Sequence, residues 1–249
     1  FVIFSLGRTG STALMKALNT HSDIKCYDEP FFRKRWEDRR QEPWNVHNIK
    51  DLHGPEQLYL ALDGLLSQYS GLKHVESALS REQNKRLLTE FGLKVVFLWR
   101  KNSLKWAISN ALSIQSKVWH VWGRTREQHS SHEFQAIEIS KLHNAIKYYK
   151  KSLDWYKWNM NLHDVPYYEL AYEQFLEKDI KPAEKLSEVN NVLKYLGYKG
   201  LDKIEDVENL GQVLDYEKNR LNSKDIYEKI PNIKQIRAAL ENEKKGLLF

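Results

Sequence analysis

Cysteine is almost missing from this chain: Cys26 is the only one among 249 residues. No internal disulfide can form, and a reducing compartment is expected. No Asn-x-Ser/Thr acceptor with a permitted middle residue occurs, which removes one sign of secretory passage. No apolar run approaches the length of a membrane span, so no membrane insertion is expected. These absences lead to the expectation of a cytoplasmic protein. The chain opens at Phe1 within a strand pattern, so a preceding piece is expected to have been trimmed or to have gone unobserved, together with any targeting segment it carried. The histidines lack a His-Glu-x-x-His spacing, and no metal site is expected. Internal repeats and low-complexity tracts are missing as well.

The residues that are present suit a folded α/β protein. Hydrophobic residues make up 41% and charged residues 29%, too apolar for disorder. The length suits one domain over residues 1–249 with an ample core. The formal net charge is +6, which would attract an anionic ligand. The densest basic stretch, Arg33 to Arg40, is broken by acids and makes a poor nucleic-acid stripe, so no nucleic-acid partner is expected. Aromatic residues reach 12%, a content that permits a homodimer without requiring one.

Apolar runs predict strands at residues 1–4, 24–27, 71–75, 94–99 and 165–170. Helical periodicity predicts helices at 13–18, 55–69, 81–91, 104–120, 133–161, 181–195 and 232–243. The run Lys94 to Trp99 is continuously apolar after its lysine, as expected of a central parallel strand buried on both faces. Strands alternating with helices argue for a parallel sheet with helices on both sides. The charged segment 33–54 reads as a long excursion over the sheet, part of a lid, and 121–131 as a polar connection. Trp155, Tyr156 and Trp158 read as packing residues rather than a cofactor box.

The stretch Phe1 to Thr20 gives the clearest chemistry. A strand runs into Ser5-Leu6-Gly7-Arg8-Thr9-Gly10-Ser11-Thr12, and a helix follows. Glycines let the backbone turn and approach a ligand closely. Helix-start N–H groups favour a phosphate-like group, and Arg8, Ser11 and Thr12 add donors. A Walker loop would need Gly-Lys-Ser/Thr, yet here the cation is Arg8 and the hydroxyls follow Gly10 directly. The strongest strand ends in Arg100 rather than in a magnesium-binding acid. The Gly-x-Gly-x-x-Gly dinucleotide pattern is not met either. Glu29 precedes Pro30, which places its carboxylate at a strand-to-loop transition.

Gly7-Arg8-Thr9-Gly10-Ser11-Thr12 after an opening strand resembles the 5′-phosphosulfate loop of sulfotransferases. Val95 to Arg100, with Ser109 nine residues after the arginine, resembles their 3′-phosphate element. Tyr172-Glu173-Gln174-Phe175 resembles the Tyr-Glu-Asp-Leu segment, with Gln174 in place of the usual Asp. Asp28-Glu29-Pro30 resembles the Glu-Pro segment of carbohydrate-type members, and Gln115 to His120 resembles the Gln-Thr-Gly-x-Trp stretch of a bacterial trehalose sulfotransferase group. The resemblance implies a three-layer P-loop-like fold with a central parallel sheet flanked by helices. It also implies transfer of a sulfuryl group from 3′-phosphoadenosine 5′-phosphosulfate to a hydroxyl of a sugar, glycolipid or small natural product.

In that reading Gly7, Arg8, Thr9, Gly10, Ser11 and Thr12 hold the donor's 5′ end, and Arg100 and Ser109 its 3′-phosphate. Tyr172 meets the adenine, and Lys218 and Arg220 assist from the C-terminal segment. Arg8 stabilises the leaving group, and Glu29 takes the acceptor's proton. The product nucleotide is 3′-phosphoadenosine 5′-phosphate, with no metal. His47, His53, His74 and His120 are candidate acceptor-cleft residues. The loop lysine and histidine base of cytosolic sulfotransferases have no counterpart in the sequence pattern, and Lys101-Asn102 follows Arg100 where Asp-Pro or Arg-Asp is frequent. A nucleotide-dependent kinase or phosphotransferase, and a non-catalytic nucleotide-binding module, are the alternatives.

Overall fold

The computed structural model describes residues 1–32, 54–119, 125–215, 222–242 and 244–248. The chain divides into two compact units, each assembled from two separate stretches. The first comprises Phe1–Trp99 and Trp155–Leu214, the second Arg100–Asp154 and Asp215–Phe249.

The first unit is built on a five-stranded sheet, in the order β2-β3-β1-β4-β5 with every pair parallel. Its strands are β1 (Val2–Ser5), β2 (Cys26–Asp28), β3 (Gly71–Val75), β4 (Val95–Trp99) and β5 (Tyr167–Ala171). Parallel strands need crossovers, and α1 (Ser11–Leu18), α2 (Pro55–Leu66) and α3 (Arg81–Thr89) supply those up to β4. The connection from β4 to β5 passes through the second unit. Val2, Ile3 and Phe4 are wholly buried, as are Val95 to Leu98, which is why these strands read as continuous apolar runs.

Side chains alternate across the sheet. Ile3, Val96, Leu98 and Leu170 pack in one cluster with Leu14 and Leu18 of α1, and with Val189 and Val192 of α7 (Pro182–Leu196). The cluster also takes in Leu210 of α8 (Ile204–Val213). On the opposite face Phe4 stacks with Phe97 at 5.9 Å and meets the Tyr156 ring edge-on at 4.8 Å. The packing role expected of Tyr156 therefore holds, whereas Trp158 is 58% exposed.

In the second unit, α4 (Ser103–Ser116) is capped by Asn102, whose side chain accepts from the Lys105 N–H at 2.8 Å. It ends at Ser116, four residues before the expected end, and the capping Lys117 adopts a left-handed φ of 57°. The polar stretch after it contains a short helix, α5 (Thr125–Ser130). The long helix α6 (Ile139–Leu162), whose residues from Trp155 on belong to the first unit, starts six residues later than periodicity suggests. The reason is non-local: Asn232 exchanges two hydrogen bonds with the Ile137 backbone, at 3.0 and 2.8 Å, and holds it out of helix. Asn232 in turn precedes α10 (Ile233–Leu240), and α9 (Lys224–Glu228) lies just upstream. Among the described residues, no helix is long and apolar enough to cross a membrane.

Candidate functional site

In an open parallel sheet, ligands bind beyond the carboxyl ends of the strands where successive connections leave in opposite directions. Here β1 connects toward β2 on one side and β4 toward β5 on the other. The loop after β1 lies at this point. Gly7, Arg8 and Gly10 have φ of 75°, 52° and 82°, so the backbone is left-handed at three of four successive positions. Glycine adopts this without strain, whereas an arginine pays about 1–2 kcal/mol for it. The Ser5 hydroxyl accepts from the Gly7 N–H at 3.4 Å and closes the first bend.

Gly10 is the N-cap of α1 and supplies no side-chain cap. The helix therefore begins at Ser11, two residues earlier than its apolar pattern. Gly10 cannot carry a side chain: a Cβ would stand 2.4 Å from Leu176 Cδ1 and 3.0 Å from Tyr172 Cδ2. The same approach places Tyr172 against the loop, on the 3-10 turn that follows β5. Gln174 fulfils a structural task there, its Oε1 accepting from the Ala171 N–H at 2.8 Å. Thr9 is fully buried, and its hydroxyl has no hydrogen-bond partner among the described atoms.

The site's densest charge was not singled out by sequence reasoning. Lys73, in the middle of β3, is wholly buried. Its ammonium donates to Thr12 Oγ1 at 3.0 Å, Asp28 Oδ1 at 2.8 Å and Glu29 Oε1 at 2.6 Å. An ammonium has three donors, and all three are used. Parallel register explains the first carboxylate, because Asp28 is the direct partner of Lys73 across β2 and β3. Glu29 follows β2 immediately, as Pro30 implied, with a left-handed φ of 47° and its N–H donated to the Lys73 carbonyl at 2.9 Å. Glu29 is 7% exposed. One lysine thus ties the two carboxylates to the first turn of α1.

His74, one residue on, points to the other face of the sheet. It is fully buried, between Phe4 and Phe31, rather than on a cleft surface. Its Nε2 meets Asn84 Oδ1 at 2.7 Å, while the Asn84 amide donates to the carbonyls of Glu76 and Leu79. That fixes the Asn84 oxygen toward the ring, so Nε2 carries the hydrogen and Nδ1 is buried without a hydrogen-bond partner among the described atoms. Burial lowers the His74 pKa to about 4. The folded protein keeps His74 neutral down to that pH, whereas the unfolded chain takes up a proton near 6.5. Stability from this group is full above pH 6.5 and falls as the pH drops toward 4, by about 3 kcal/mol. Denaturant melts at pH 7 and pH 4.5 should show this loss, and His74→Asn should flatten it.

Arg100 opens the second unit, directly after β4, and is 9% exposed. Its backbone is pinned by Tyr149, whose hydroxyl accepts from the Arg100 N–H at 2.6 Å and donates to the Arg100 carbonyl at 3.2 Å. Tyr149 is held in turn by stacking on Trp106 at 4.1 Å. Ser109 is buried in α4, and its hydroxyl accepts from Asn222 Nδ2 at 3.0 Å. Lys218, Arg220, His47, His53 and His120 lie outside the described residues, as does most of the segment expected to form a lid. No protein-family model and no curated protein matches this chain.

Proposed function

We propose that the chain is a sulfotransferase that uses 3′-phosphoadenosine 5′-phosphosulfate as donor and a hydroxyl-bearing sugar, glycolipid or small natural product as acceptor. The observation that carries this reading is the Thr12–Lys73–Glu29 bridge. It puts a buried carboxylate within one side chain of a left-handed, glycine-lined anion loop.

Sulfuryl transfer is an in-line displacement that depends on positioning and charge stabilisation. The acceptor oxygen attacks sulfur, the bond from sulfur to the bridging phosphate oxygen breaks, and the acceptor's proton passes to Glu29. Lys73 holds Glu29 through Oε1, and we assign the other oxygen to the proton. Charge on the departing 5′-phosphate is met by Arg8 and the loop amides. Arg100 and Ser109 are assigned to the 3′-phosphate, and Tyr172 to the adenine.

Incubation with sulfur-labelled donor and a panel of hydroxyl acceptors tests the reading. Label should pass to at least one acceptor class, with 3′-phosphoadenosine 5′-phosphate as the second product. Label transfer that survives Arg8→Ala undiminished would remove the assignment of the loop.

A further inference from the structure

The second unit carries a basic groove that the donor assignments leave unused. One wall is a face of α6, with Lys147, Lys150, Lys151 and Asp154 above Ile146. Lys147 and Lys151 are four residues apart, as are Lys150 and Asp154, so their side chains lie along one side of the helix. Lys245 closes the other wall, and the groove has a volume of about 270 Å³. Four lysines face one carboxylate in this lining. Among the described residues, none of the four forms an ion pair. Lys147, Lys150 and Lys151 are exposed, as is Lys244 next to the groove. Two acids, Asp154 in the lining and Glu243 beside Lys244 in sequence, leave this cluster of lysines positive.

The wall that carries Lys245 is a pinned turn. The Lys245 carbonyl accepts from the Leu104 N–H at 2.9 Å and from the Ser103 hydroxyl at 3.3 Å. The Asn102 amide donates to the Leu247 carbonyl at 2.6 Å, and the Leu248 N–H donates to Glu241 Oε1 at 2.7 Å. From α6, the Lys150 ammonium donates to the Lys244 carbonyl at 3.1 Å. Leu248 is buried, but Leu247 keeps 56% of its surface exposed on this fixed backbone. A leucine thus stands in solvent two residues beyond a lysine of the groove.

We propose that this groove and Leu247 dock the chain on an anionic lipid surface, so that it lies on a bilayer without crossing it. Acidic headgroups meet the ammonium groups, and Leu247 enters the boundary between headgroups and acyl chains. With Lys244 the cluster reaches five lysines, within the range at which basic clusters hold acidic headgroups. Three features favour this partner. The groove is small and its lysines are exposed, so it does not enclose a drug-sized ligand. Among the described residues, its lining has no arginine and no Phe, Tyr or Trp ring, the groups that fork onto phosphates and stack on bases in a nucleic-acid site. A hydrated acidic polysaccharide gains nothing from an exposed leucine, whereas a bilayer takes that leucine out of water.

Co-sedimentation with vesicles tests this, using phosphatidylcholine alone and phosphatidylcholine mixed two to one with phosphatidylserine, in low and in high salt. Wild-type protein should bind the mixed vesicles and leave the neutral ones, and salt should release it. Lys147→Gln combined with Lys151→Gln should weaken binding about thirtyfold, the usual contribution of two lysines near an acidic surface. Both positions are exposed, and a melt of the same sample checks the fold. Leu247→Ser should weaken binding about tenfold and leave its salt dependence in place. No preference for the acidic vesicles, or binding unmoved by the paired lysine substitutions, would overturn the inference. So would wild-type protein that prefers dextran sulfate to the vesicles and is indifferent to Leu247→Ser, which would assign the groove to a soluble polyanion. None of the substituted residues is assigned to the donor, so either result leaves the sulfotransferase reading as it stands.

Discussion

Lys73→Met should destabilise the first unit by about 3–5 kcal/mol, the cost of removing one partner from a buried ion pair. Methionine fills the volume of the lysine stem but gives nothing to Asp28 and Glu29. Two carboxylates that shared an ammonium at 2.8 and 2.6 Å would then face each other with little solvent. Thr12 would lose the bond it accepts from Lys73 in the same step. Adding Glu29→Gln to Lys73→Met should recover part of the loss, because one of the two like charges that shared the ammonium is gone. Urea melts of the wild type, the single variant and the double variant check both statements. If the lysine only filled space, Lys73→Met would cost little and Glu29→Gln would add to it.

Glu29→Gln alone should behave in the opposite way. Lys73 keeps Asp28 as a charged partner, so the cluster becomes a neutral pair and the fold should hold. Catalysis should fall about 100-fold or more, the usual contribution of a positioned general base. The loss should appear in kcat, with donor affinity near that of the wild type, because the loop and not Glu29 is assigned to the nucleotide. Steady-state rates with saturating donor, alongside a melt of the same sample, separate this from misfolding. Full activity in the variant would take the base role from Glu29 without touching the loop.

Much of this arrangement was legible in the residues. The turns of the loop after β1 could be read because glycine marks the positions where the backbone turns left-handed, and both Gly7 and Gly10 do so. Glu29 could be placed at a strand end because a following proline disfavours helix there, although its left-handed φ of 47° departs from the extended backbone that proline favours. β3 matched its expected span to the residue. What escaped notice depends on pairing across the sheet or on distant chain. Lys73 looks like a stray charge in a short strand until the parallel register sets it beside Asp28. A lysine at the middle of a predicted strand, directly after Leu72, was the available sign. Ser109 and Asn222 stand 113 residues apart, and no periodicity links them. α8 was missed for a different reason: Ile204 is 77% exposed and only Leu210 within the helix is buried, so its apolar stripe is faint, and Gly211 weakens the helical pattern further.

His74 illustrates the reverse error. A histidine in a sequence with few other candidates invites a role in the acceptor cleft, but its strand is internal to the sheet and its ring fills the space between Phe4 and Phe31. Alternation along β3 sends Lys73 to the loop side and His74 to the core side, so neighbours in sequence have unrelated tasks.

The central proposal is that the chain takes an adenosine bisphosphate as its donor nucleotide. A direct comparison of nucleotide affinity tests it: 3′-phosphoadenosine 5′-phosphate against adenosine 5′-phosphate and against magnesium-bound ATP, by calorimetry on wild type, Arg8→Ala and Arg100→Ala. The account predicts that the bisphosphate binds tightest, that Arg8→Ala weakens both the bisphosphate and the monophosphate, and that Arg100→Ala weakens the bisphosphate alone. Tighter binding of magnesium-bound ATP, or bisphosphate affinity unmoved by either substitution, would contradict it.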